Sequence, residues 1–80
     1  MTVGEAVRKR TLEICQQRGI SVNKLCSMSG VTQSTVNNIV NGRNHSTTVS
    51  TIKQLCDGLD MNIDEFFASP LFQDLEQEIK

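Results

Sequence analysis

Apolar residues recur along most of this chain at spacings of three and four, and glycines or capping hydroxyls cut the pattern into short blocks. Val3, Ala6, Val7, Ile14 and Cys15 form one stripe, so the first block reads as a helix over about 2–18. Basic Arg18 and then Gly19 close it, as expected of a helix C-terminus. Ser21 caps a second helix over 22–28, with Leu25 and Cys26 inward, and Ser29-Gly30-Val31 ends it. Thr32 caps a third, from 33 to about 41, whose stripe is Val36, Ile39 and Val40 and whose stop is Gly42. After a polar loop, Thr47 or Thr48 starts a fourth helix with Val49, Ile52, Leu55, Cys56 and Leu59 inside. Asn62 caps a short fifth helix carrying Ile63, Phe66 and Phe67. Pro70 suits the first turn of a terminal helix bearing Leu71, Phe72, Leu75 and Ile79. No segment alternates with period two, so the expected class is all-α.

Eighty residues make one domain, here 1–69, with 70–80 as an amphipathic helical extension. That terminal stripe is too apolar to leave in water. It either folds back, with Leu12 on the outer side of helix one as a docking point, or buries in a homodimer. No apolar run is long enough for a membrane span, and the first residues lack the pattern of a signal peptide, so a cytoplasmic protein is expected. Cys15, Cys26 and Cys56 are odd in number and widely spaced, and the one histidine, His45, has no cysteine near it in sequence. They read as reduced core thiols, with no metal site. No catalytic triad, paired carboxylates or phosphate-binding glycine loop is visible, so no enzyme, cofactor or small-molecule ligand is expected.

The net charge of −1 hides a division. Residues 1–53 hold seven cations against two carboxylates, whereas 54–80 hold one cation against seven carboxylates. A basic half points to a polyanionic partner, with ordinary solvated surface as the alternative. The aromatic residues Phe66, Phe67 and Phe72 all lie in the acidic half, which argues against base stacking as the mode of binding.

Residues 21–42 are the most informative. Two short helices joined by a glycine-bearing turn form the geometry that presents the second helix to DNA. Gly30 supplies the positive φ of a sharp turn, and Cys26 is small enough for the helices to approach closely. With Val36 at the centre of the buried side, Ser34, Asn37, Asn38 and Asn41 face outward and Gln33 stands at the helix start. That face is polar and uncharged. Amide side chains can offer a donor and an acceptor together to the edge of adenine, whereas a merely solvated helix more often carries Glu and Lys.

From about residue 7 to 67 the chain resembles the lambda-repressor/Cro family, also called Xre-like. The segment GISVNKLCSMSGVTQSTVNNIVNGRN is similar to the family's core motif, and TVSTIKQLCDGLDMNIDEFF to its fourth and fifth helices. The resemblance implies a compact five-helix fold and sequence-specific binding of double-stranded DNA by a repressor-like transcription regulator. It sets base contacts at Gln33, Ser34, Asn38 and Asn44, which the polar face extends to Asn37. Ser21, Asn23, Thr32, Thr35, Asn41 and Arg43 match positions that hold phosphates. Two departures stand out. Val22 replaces a glutamine that often braces the first base-reading residue, which should leave Gln33 less rigid. Cys15 and Val40 together replace a frequent Arg and Glu ion pair, so they should touch across helices one and three. A protein-interaction module on the same fold, such as an antitoxin-like or phage accessory adaptor, is the alternative reading.

Overall fold

A computed structural model describes residues 1–41 and 47–79 of the protein. Five α-helices follow in order: α1 (Val3–Arg18), α2 (Val22–Ser29), α3 (Gln33–Val40), α4 (Val49–Gly58) and α5 (Ile63–Phe67). No strand occurs among the described residues. Side-chain hydroxyls start the first four. Thr2, Ser21, Thr32 and Thr48 each accept from the backbone N–H three residues on, satisfying a donor the helix leaves unpaired. The cap of α4 is thus Thr48, of the two threonines available. At the start of α5 the Asn62 N–H donates to the Glu65 carboxylate at 3.0 Å.

The helix ends are equally local. Gly19 closes α1 at φ 65°, and the Ile20 N–H reaches back to the Cys15 carbonyl at 3.0 Å. Asp60, at φ 54°, plays the same part after α4, with the Met61 N–H on the Cys56 carbonyl at 3.0 Å. Asp is one of the few side-chain-bearing residues that tolerates this conformation.

Phe66, Leu25, Leu55, Val36 and Cys56 are fully buried at the centre, each from a helix that shows the apolar stripe read from sequence. Cys15 is buried and Val40 half-buried in the same apolar cluster, on helices that pack together. The close approach of helices depends on a residue that the apolar pattern gives no reason to notice. At Gly58, the last residue of α4, a Cβ atom would sit 2.5 Å from the Ser29 Cα, so α4 passes the end of α2 with no room for a side chain.

Two charged side chains fasten the layers. Arg10, its side chain 11 % exposed, donates to the carbonyls of Phe66 at 2.7 Å and Glu65 at 2.8 Å, and to the Glu13 carboxylate at 2.6 Å. It thereby ties α1 to the carbonyl end of α5, where a cation is also favoured by the helix dipole. Arg18 donates to the Leu59 carbonyl just past the end of α4.

The structure corrects the expected start of the inner stripe of α4 and the expected C-terminal helix. Val49, assigned to the inner stripe of α4, is 67 % exposed. It is the first residue of its helix and lies at an open apolar groove with Val3, Val7, Ile52 and Phe67, beyond the reach of close packing. The terminal helix expected over 70–80 is a single 3-10 turn, Pro70–Phe72, and residues 73–79 hold no helix. So short a segment, with Asp74, Glu76 and Glu78 toward what would be its negative end, lacks both the length and the dipole complement of a stable helix.

The segment folds back instead. Phe72 packs on the core, and its ring lies 4.8 Å from that of Phe67 and 6.2 Å from that of Phe66. The Glu76 N–H donates to the Met1 carbonyl at 3.0 Å. Leu12, the expected docking point, stays 36 % exposed, and the cleft at Leu71 is lined by Met1, Glu13, Ser69, Pro70 and Asp74. Ile79 stays 88 % exposed.

Candidate nucleic-acid interface

The turn between α2 and α3 is over-determined. Gly30 takes φ 72°. The Ser29 hydroxyl donates to the Leu25 carbonyl at 2.8 Å and accepts from the Val31 N–H at 3.3 Å. From α4, the Gln54 amide donates to the Ser29 carbonyl at 3.1 Å. Buried Val31, Val36 and Ile39 then lock α3 by its apolar side. A rigid helix with one face committed to the core must offer the other to solvent. Gln33, Ser34, Asn38 and Asn41 are exposed there, and Asn37 and Thr35 are half-buried. The exposure of the first four means that no other described residue covers this face, and the main contacts of α3 are with α1 and α2.

The two helix starts contribute further donors. Ser21 Oγ accepts from the Lys24 N–H at 3.1 Å, which leaves its own hydroxyl hydrogen to give away. Thr32 Oγ1 accepts from the Thr35 N–H at 3.3 Å and donates to Thr35 Oγ1 at 2.9 Å. The chain of hydroxyls thus hands its spare hydrogen to Thr35, half-buried on the flank of α3. Helix N-termini favour anions through the same unpaired N–H groups and the helix dipole, so these residues suit phosphate oxygens.

Val22 packs against the core, and Gln33 is nevertheless held. Its Nε2 donates to Asn23 Oδ1 at 2.8 Å across the turn. The expected loosening of Gln33 is therefore overturned, because the next residue along α2 supplies the acceptor. A polar residue one place after an apolar helix start was the available signal.

Of the sequence-predicted residues, Ser21, Asn23, Thr32, Gln33, Ser34, Thr35, Asn37, Asn38 and Asn41 all fall on α2, α3 and their caps. Arg43 and Asn44 lie outside the described residues. Lys24, unremarked as a site residue from sequence, is exposed in the first turn of α2 beside Asn23. The basic half is less available than its charge implies. Arg10 and Arg18 are engaged with α5 and the end of α4, and Lys53 pairs with Asp57 on its own helix. Desolvation by burial pushes the Cys15 and Cys56 thiols up, so both stay protonated at neutral pH within the core. Among the described residues no cluster of His, Cys, Asp and Glu could hold a metal ion, and no helix is long and apolar enough to cross a membrane.

Residues 12–69 match the model of the Cro/C1-type HTH DNA-binding domain. The crystal structure of the prophage Lp1 protein 11 superposes with a TM-score of 0.80 at 31 % sequence identity, covering 94 % of this chain and 99 % of that one. No curated protein sequence matches.

Proposed function

Because the chain belongs to the Cro/C1-type helix-turn-helix DNA-binding family, we propose that it regulates transcription, in a repressor-like manner, by laying α3 in the major groove of a specific duplex sequence. The observation that carries this reading is the outer face of α3, which is uncharged, rich in amides and fixed in place by a buried apolar side. Gln33, Ser34, Asn37, Asn38 and Asn44 contact base edges. Ser21, Asn23, Thr32, Thr35, Asn41 and Arg43 hold the backbone, and Lys24 adds a cation beside them. Two copies on half-sites about 34 Å apart would fit the usual arrangement of such domains. The similar structure is that of a prophage protein, which supports a phage-type regulator.

A second reading, a protein adaptor on the same fold, draws support from the apolar groove at exposed Val49 and from the cations already engaged within the chain. One experiment separates them. Duplexes selected from a random pool should be retained with an affinity that falls steeply as salt rises, and Gln33→Ala should cost roughly 1–3 kcal/mol at a single base position. Salt-independent or undetectable retention of every duplex would leave the adaptor.

A further inference from the structure

Asn23 lies among the residues suited to phosphate, yet its side-chain oxygen is occupied by the amide of the foremost base-facing residue. We propose that Asn23 is a positioning residue for sequence discrimination, setting the orientation in which Gln33 presents its amide to an adenine. This inference rests on the reading of α3 as the recognition helix.

The hydrogen inventory supports it. Gln33 Nε2 carries two hydrogens, and one goes to Asn23 Oδ1 at 2.8 Å. The second hydrogen and the Oε1 lone pairs remain, which are the donor and acceptor that adenine N7 and N6 require. An unbraced glutamine at an exposed helix start samples several rotamers and both amide orientations, and binding must freeze them. Turning the held amide over alone would set Gln33 Oε1 against Asn23 Oδ1, so the reversed orientation requires both amides to turn together. Asn23 and Gln33 are ten residues apart and meet only because the Gly30 turn brings α2 and α3 together. The brace therefore reports on the turn that positions α3. Val22 cannot supply it, because its side chain is apolar and packs against the core.

The test compares the full-length protein with Asn23→Ala, Gln33→Ala, the double variant and Asn23→Asp, on the selected duplex and its single-base substitutions. Asn23 is exposed, so all variants should melt with the parent. Asn23→Ala should lose about fivefold or more of the preference for adenine at one position, and the double variant should lose no more than Gln33→Ala alone. Asn23→Asp keeps only the acceptor, so it should retain the preference while binding every duplex more weakly, from its negative charge near phosphate. A uniform loss across all sequences for Asn23→Ala, with preference intact, would overturn the proposal and leave Asn23 as a backbone anchor alone. Additive losses in the double variant would overturn it too. If the parent protein selects no duplex at all, the reading beneath it falls as well, and that outcome is visible in the parent alone.

Discussion

The α2–α3 pair and the α1–α5 junction use polar side chains in opposite ways. At the junction, charge holds the fold, with Arg10 spanning two carbonyls of α5 and a carboxylate of its own helix at 11 % exposure. On the outer face of α3, neutral amides and hydroxyls stand exposed, and Gln33 bonds across to Asn23 of α2. In water a free cation is a poor fastener, but held against several acceptors at a part-buried helix end it becomes a stronger one. An amide is the reverse. It contributes little to stability at the surface and carries directional information to a base edge. Counting cations therefore misjudges where this protein meets DNA, because part of the positive charge is spent internally.

The contrast breaks most visibly at Arg10. Arg10→Ala removes its bonds to the part-buried Phe66 carbonyl and to the Glu65 carbonyl together and should cost about 2–3 kcal/mol in denaturant unfolding. The folded fraction should bind DNA with the parent's salt slope. A reduced slope would mean that Arg10 acts on phosphate, and the division of labour would collapse.

Gly58→Ala attacks the frame beneath the reading face. The new methyl would meet the Ser29 Cα at 2.5 Å, so α4 must move away from the end of α2, at about 2 kcal/mol of overpacking. Because Gln54 of α4 also holds the Ser29 carbonyl, the turn should shift with it. Sequence preference and melting temperature should therefore fall together. Lost stability with untouched preference would show that the turn is set by Gly30 and its own hydroxyl bonds alone.

The helices and the polar face of α3 were legible because their signals are local. A cap hydroxyl acts on an N–H three residues away, and an apolar stripe needs only its own period. What failed to show depends on distant partners. Gly58 has no motif around it, and its need for a missing side chain comes from Ser29, packed there by the fold. Arg10 and Arg18 look like any surface cations until α5 and the end of α4 arrive beside them. Leu71, Phe72, Leu75 and Ile79 keep a helical spacing, but spacing alone cannot outweigh three carboxylates and a short length. Val22 misled in a milder way, since the brace it lacks moved one residue along.

Arg18 gives the smallest and sharpest discrimination. It is exposed overall, near the end of α1, and its guanidinium donates to the Leu59 carbonyl immediately before Asp60 in its left-handed conformation. Solvent competes for that carbonyl once the arginine is gone, so Arg18→Ala should cost only about 1 kcal/mol, a modest drop in melting temperature. Its consequence for DNA should be smaller still, with the slope of log affinity against log salt unchanged. Arg43→Ala, at a position matched to phosphate binding, should lower that slope by about one unit. The pair removes the same formal charge from the same basic half of the chain. If the two variants shift the salt dependence equally, then diffuse positive charge governs binding, and the separation of fastening cations from reading amides is wrong.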